Sequence, residues 1–261
     1  MSEKLKYGNW IRKRVLINLG LCASGAWLLA FLPLPNGLRI VAGIIAIILS
    51  ASFLYPLYAY LMFSPRGGNM QAKIYNLIIE SLGQPLRGKA LDIGTGNGVL
   101  AVRLAQCFPG VRVTGMDYWG NDWEYAKAVC DENARSAGVS ERVSFVKGDA
   151  AALEFADGEF DAIVSNLTFH EVKSVAQKSE VVKEALRVLK PGGVFAFIDY
   201  FYESRYYGQV SDFEARLAQF GLSNVTLRTI DQKLKFPALL RHRRALGRVG
   251  ILYGQKVNAT P

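Results

Sequence analysis

The sequence predicts an α/β protein: a doubly wound, mostly parallel sheet of seven strands, preceded by two helices that cross a membrane. Three observations carry the prediction. A glycine-rich turn, Gly94-Thr95-Gly96-Asn97-Gly98, follows directly on the short apolar run at 90–93. That is the pattern of a strand turning sharply into a helix, where bare backbone amides can reach a ligand. Apolar runs of strand length then alternate with stretches of helical period, which argues for βα units and a parallel sheet. Finally, two long runs without charge, residues 15–34 and 40–63, precede that region.

Each uncharged run is about the length needed to cross roughly 30 Å of hydrocarbon at about 1.5 Å per residue. Pro35-Asn36-Gly37-Leu38-Arg39 breaks them and makes a hairpin. A secretory signal has a shorter apolar stretch, roughly 7 to 15 residues, and no second span close behind it. Two buried core helices are the other reading, and a sheet of this class has no obvious place for them. Pro56 is expected to kink the second span, with Tyr55, Tyr58 and Tyr60 as interfacial aromatics. Lys4, Lys6, Arg12, Lys13 and Arg14 precede the hairpin, Arg66 and Lys73 follow it, and the connecting loop holds Arg39 alone. The positive-inside tendency then puts both termini, and the domain that follows, in the cytoplasm. The expected division is a hairpin at residues 1–66 and an α/β domain at residues 67–261.

Residues 64–86 read as a connector and a first amphipathic helix over the ligand cleft. Strands are expected at 90–93, 111–116, 143–146, 162–165, 194–199, 225–229 and 249–254, with helices between them. Within 121–137, Trp123, Ala126, Val129 and Cys130 recur at helical spacing, as do Val181, Val182, Ala185 and Leu189 within 178–189. Pro191-Gly192-Gly193 is expected to stop the latter helix. Asp117 closes the second strand, Gly148-Asp149-Ala150 the third, and Ser165-Asn166 the fourth. Together with the glycine turn, four strand ends carry polar groups at one edge.

These residues together resemble the class I S-adenosylmethionine-dependent methyltransferases. The resemblance covers residues 88–200 and rests on five landmarks in the family's order. They are the D-x-G-x-G-x-G turn from Asp92 to Gly98, Asp117, Gly148-Asp149-Ala150, Phe160-Asp161, and Leu189-Lys190-Pro191-Gly192-Gly193. It implies a Rossmann-like methyltransferase fold with an antiparallel seventh strand, and S-adenosylmethionine as cofactor. It further implies a cofactor site made of Asp92, Gly94, Thr95, Gly96, Gly98, Asp117, Tyr118, Asp149, Ala150 and Asn166. In it Gly94 and Gly96 admit the methionyl part, Asp117 accepts the ribose hydroxyls, and Asp149 accepts the adenine amine beside the Ala150 amide. Tyr118 covers an adenine face, and Asp92 orients the turn and adds negative potential near the methionyl ammonium. A dinucleotide-binding oxidoreductase is the competitor, yet its G-x-G-x-x-G wants glycine or alanine where this chain has Val99. For any single acid the bland reading is a solvated loop or a helix cap.

The candidate catalytic residues are His170 and Tyr200. His170 lies in Asn166-Leu167-Thr168-Phe169-His170-Glu171, where Leu167 and Thr168 replace both prolines of the motif used by methyltransferases acting on nucleobases or protein amides. An imidazole with an ordinary pKa near 6.5 can take a proton from a hydroxyl or thiol. Equally, it can pack or cap the next helix, with Glu171 or Ser174 as partner. Tyr200 belongs to the cluster Tyr200-Phe201-Tyr202 and Arg205-Tyr206-Tyr207, an apolar mouth for a hydrophobic acceptor or a cover on the sheet end. With the hairpin, these residues point to a small or lipophilic acceptor: a quinone precursor, a phospholipid amine, an isoprenoid, a thiol or a phenol. A non-catalytic membrane scaffold of the same fold is the reading from another class. The intact turn and its acids count against it.

Charge is uneven within the formal total of +9: residues 1–66 carry +6, residues 233–261 carry +7, and the stretch between carries −4. Basic ends around an acidic middle suit an anionic membrane surface, at about 1 kcal/mol per basic residue near the headgroups, better than nucleic acid. Cys22, Cys107 and Cys130 are scattered and suggest neither a disulfide framework nor a metal set, so no metal is expected.

Overall fold

The computed structural model describes residues 8–83, 85–119, 127–243 and 245–258. Chain contacts separate two units, Gly8–Lys73 and Ile74–Pro261.

The first unit is a pair of helices, α1 (Lys13–Phe31) and α2 (Asn36–Phe63). Trp27 Nε1 donates to Ser50 Oγ at 3.0 Å between them. Both are long and apolar enough to cross a membrane, and only 17% and 6% of their apolar windows is buried, unlike the helices of a soluble core. Ile17, Leu28, Phe31, Ile44, Ile47 and Leu54 all face outward. The expected break is shorter than 35–39, because α2 starts at Asn36 and absorbs the rest into its first turn. Leu38 and Arg39 amides donate to Pro35 O at 2.9 and 3.1 Å. Conversely α1 stops at Phe31, since Leu32 precedes Pro33 and is held extended at ψ 154°. Pro56 lies inside α2, which continues past it to Phe63.

The second unit carries α3 (Met70–Ser81), which begins within the first, and a seven-stranded sheet. Its strands are β1 (Gly88–Ile93), β2 (Val111–Asp117), β3 (Val143–Lys147), β4 (Phe160–Asn166), β5 (Leu189–Asp199), β6 (Leu222–Thr229) and β7 (Gly250–Lys256). Their spatial order is β3-β2-β1-β4-β5-β7-β6. β1 to β5 pair in parallel, and β7 runs antiparallel to both β5 and β6. The chain therefore winds one way from β1 to β3 and the other way from β4 onward. The crevice between β1 and β4 is the switch point at which such sheets bind ligands. Leu91, Ile93, Ile163, Val164, Phe195 and Phe197 are fully buried, as the near-continuous apolar runs of a sheet covered on both faces require.

Around the sheet lie α4 (Val99–Cys107), α5 (Lys127–Ser136), α6 (Lys178–Arg187), α7 (Ser204–Tyr207) and α8 (Val210–Leu217). The expected helix at 121–137 is present from Lys127; Trp123 and Ala126 lie outside the described residues. Pro191-Gly192-Gly193 does not end α6, contrary to the reading from sequence. The helix already stops at Arg187, and the three residues form the start of β5. Pairing with β4 decides this: Gly158 N donates to Arg187 O at 3.0 Å and Phe160 N to Val188 O at 2.9 Å, drawing those carbonyls out of the helix. Leu189 then pairs with Phe160, and a register shift carries the chain over Gly192 at φ +76°.

Candidate active site

The carboxyl ends of β1, β2, β4 and β5 bring the predicted residues to one edge. Gly98 has φ +75°, and a Cβ there would stand 2.7 Å from the Phe145 ring and 3.1 Å from Cys130. Gly94, at φ +73°, would meet Thr168 in the same way. Both glycines are thus required by close packing as well as by backbone conformation.

Four amides of this turn are hydrogen-bonded within the protein. Gly94 and Thr95 N–H donate to Met116 O at 2.8 and 3.0 Å, Gly98 N–H to Thr95 O at 2.8 Å, and Gly96 N–H to Asp117 Oδ2 at 2.8 Å. On the other side, Gly96 O accepts from Trp119 Nε1 and Cys130 Sγ, both at 3.1 Å. Asp92 is buried beneath the turn and accepts Thr95 Oγ1 at 2.6 Å and Ala101 N at 3.0 Å. The second of these caps the first turn of α4, whose own N-cap, Gly98, has no side chain to do so. Burial pushes the Asp92 carboxyl up to about 7, against the opposing pull of those two hydrogen bonds.

Asp117 accepts from Gly96 N and, through Oδ1, from Trp119 N at 3.0 Å. Tyr118 beside it is 64% exposed, with Lys147 Nζ 5.4 Å from its ring centre. Asp149 Oδ1 accepts from Ala151 N at 2.8 Å, and Ala150 is buried. Two buried oxygens in this region, Asn97 Oδ1 and Asn166 Oδ1, have no partner among the described residues. A rim of carboxylates and orphaned acceptors, with four of the turn's amides bonded within the protein, disfavours a pyrophosphate and suits a ligand that is cationic and rich in N–H and O–H donors. S-adenosylmethionine has that character, with its sulfonium, ammonium, ribose hydroxyls and adenine amine.

A second constellation sits at the ends of β4 and β5. Phe169–Glu171 form one 3-10 turn that presents His170 to Asp199. Asp199 is fully buried and accepts four hydrogen bonds: His170 Nδ1 at 2.5 Å, His170 N at 2.9 Å, Tyr200 N at 2.7 Å and Tyr207 Oη at 3.0 Å. The other ring nitrogen, Nε2, lies 3.3 Å from Glu171 Oε1. Burial alone would lower the His170 pKa, but the hydrogen bonds and charges of Asp199 and Glu171 outweigh it and hold the imidazole up at about 9. The rings of Tyr200 and Tyr206 flank it, with centroids at 4.8 and 5.5 Å. Burial, with Asp199 second, raises the Tyr200 phenol to about 12, so it stays a neutral hydroxyl. Of the two partners considered for His170, Glu171 is the one present. Asp199 escaped the reading from sequence, although an acid closing the fifth strand follows the pattern that marked Asp117. Trp119 was missed too, its signal being only adjacency to that acid.

The fold and this acidic, donor-seeking edge are of the kind expected of an α/β enzyme that takes a sulfonium cofactor. Over residues 91–197 the chain matches the family described as "Methyltransferase domain", which supports a class I S-adenosylmethionine-dependent methyltransferase domain with S-adenosylmethionine as its cofactor. It is 30% identical over 174 residues to the methyltransferase GfsG of Streptomyces halstedii, covering 67% of this chain and 57% of that one. It is 34% identical over 122 residues to the ubiquinone/menaquinone biosynthesis C-methyltransferase UbiE of Desulfotalea psychrophila, covering 47% of this chain and 45% of that one. The chain thus spans about half the length of these curated relatives. Among solved structures, geranyl diphosphate C-methyltransferase from Streptomyces coelicolor A3(2) superposes with a TM-score of 0.55 at 15% identity, over 73% of this chain and 80% of that one. At that identity it shows the shared fold alone.

Proposed function

We propose that the protein is a membrane-tethered methyltransferase that moves a methyl group from S-adenosylmethionine to a hydroxyl, phenol or related nucleophile on a small or lipophilic acceptor. The observation that carries the reading is the buried Asp199–His170 pair, set between Tyr200 and Tyr206 at the edge where the cofactor residues converge. A quinone precursor or an isoprenoid suits the aromatic mouth, and the relative named for quinone methylation lends support by analogy.

Asp117, Asp149 and Asn166 would hold the ribose and adenine, with Tyr118 and Ala150 beside them. Thr95 and Gly96 would leave room for the methionyl part over Asp92, while Gly94 and Gly98 keep the turn packed on Thr168 and Phe145. When bound, S-adenosylmethionine supplies a methyl group on a cationic sulfonium. The chain's own contribution is alignment and proton handling. Asp199 holds the Nδ1–H of His170, so that Nε2, once it has given up its own proton to solvent and left Glu171, takes the acceptor's proton as its oxygen becomes nucleophilic. Tyr200 and Tyr206 exclude water from the imidazole and orient an apolar acceptor. The helices α1 and α2 would keep the domain at the bilayer, where such an acceptor partitions, with the domain on the cytoplasmic side.

The test is to supply membranes with methyl-labelled donor, with and without the protein, and follow the label by mass spectrometry of extracted quinones and lipids. Label in one lipophilic class is expected. Label confined to water-soluble products would remove the lipophilic acceptor, and no transfer to any fraction would leave a scaffold.

A further inference from the structure

We propose that the cleft beside Tyr200 is a subsite for a phosphate group carried by the methyl acceptor, an inference that rests on the methyltransferase reading above. The cleft encloses about 800 Å³ and is lined by Tyr200, Glu203, Arg205, His242 and Arg243. Its positive charge is not neutralised from within. Glu203 Oε1 already faces Arg248 Nη1 at 3.4 Å, whereas among the described residues no carboxylate pairs with Arg205 or Arg243.

The guanidinium of Arg205 lies over the Tyr206 ring, 4.5 Å from its centre. Stacking of that kind holds the plane of the group while leaving its N–H edge to a ligand. Two guanidinium groups in one open cleft match a phosphate, which accepts paired N–H donors from each. The cleft also adjoins the reacting edge, because Tyr200 lines it and packs on His170 at 4.8 Å. Tyr206, beneath Arg205, packs on the same imidazole at 5.5 Å. The phosphate of such an acceptor would therefore lie one layer of aromatic side chains from the Asp199–His170 pair, leaving its nucleophilic end to reach the imidazole. A phospholipid headgroup and a soluble phosphate ester share this chemistry.

The experiment titrates the full-length chain, held in neutral maltoside micelles, by calorimetry with dihexanoyl phosphatidate, zwitterionic dihexanoyl phosphatidylcholine, inorganic phosphate and, separately, S-adenosylhomocysteine. Phosphatidate is expected to bind in preference to phosphatidylcholine. Arg205→Gln and Arg243→Gln should each weaken it about tenfold, with S-adenosylhomocysteine affinity unchanged as the control for folding. Inorganic phosphate that binds as well as phosphatidate, and weakens in the same variants, also supports the subsite and assigns it to a soluble phosphate ester. Phosphatidate binding undiminished in the double variant, or no binding of either anion, overturns the proposal. Arginine-dependent phosphatidate binding without any uptake of S-adenosylhomocysteine would leave the subsite standing and remove the methyltransferase reading instead.

Discussion

His170 shows how much one residue's role depends on what the fold places beside it. An isolated histidine titrates near 6.5, and a base of that kind would work at neutral pH. Between Asp199 and Glu171 its pKa rises to about 9, so at pH 7 the resting side chain is an imidazolium. Two consequences differ in sign. A group whose folded pKa is raised stabilises the fold fully below its unfolded value, about 6.5, and that contribution is lost as pH climbs through about 9. A base, by contrast, gains its active form over the same interval. Activity should therefore increase from pH 7 to 9 while thermal stability declines, and both trends should vanish in His170→Gln. That variant should also lose roughly 10² to 10⁴ in turnover at unchanged cofactor affinity. A full-rate variant would show that positioning by Tyr200 and Tyr206 suffices.

Asp117 offers a second test at the same scale. Its carboxylate holds Gly96 N and Trp119 N and would hold the ribose. Asp117→Ala should weaken S-adenosylhomocysteine at least tenfold in calorimetry, each charge-assisted hydrogen bond being worth about 1.5–3 kcal/mol. Unchanged affinity would exclude Asp117 from the cofactor site.

Among the elements, the turn from β1 into α4 combines a conformational and a packing demand, and two alanine substitutions separate them. Gly98 and Gly138 both have positive φ, +75° and +70°, but a Cβ at Gly138 meets nothing within 4 Å while one at Gly98 meets Phe145 at 2.7 Å. Gly138→Ala should therefore show only the left-handed backbone penalty, about 1–2 kcal/mol. Gly98→Ala should show that and a repacking cost besides, read as a markedly larger drop in melting temperature. Equal drops would mean that Phe145 moves aside without cost.

For the whole molecule, the exposed apolar surface of α1 and α2 sets the expected behaviour in fractionation. The full chain should stay with membranes through high-salt and alkaline washes, because salt screens headgroup attraction but not a spanning helix. A truncated protein beginning at Ser64 should be soluble and should still bind S-adenosylhomocysteine. Release of the intact chain by either wash would contradict the hairpin.

The sequence by itself determined the order of the elements, because each was written in local terms. Strands were apolar runs between breakers, and Asp92 to Gly98 carried a turn that only glycine-rich backbone can make. The long uncharged runs needed no partner to be seen. What depended on contacts between distant residues was decided by tertiary structure alone. Strand pairing ended α6 at Arg187 and made Pro191-Gly192-Gly193 part of β5. The amides of Gly94, Thr95 and Gly96 were claimed by Met116 and Asp117, 21 or more residues on, a pairing that the motif's local spacing does not show. Asp199, 29 residues from His170, became its partner only because β4 and β5 lie side by side, and a shared strand edge leaves no trace in local spacing.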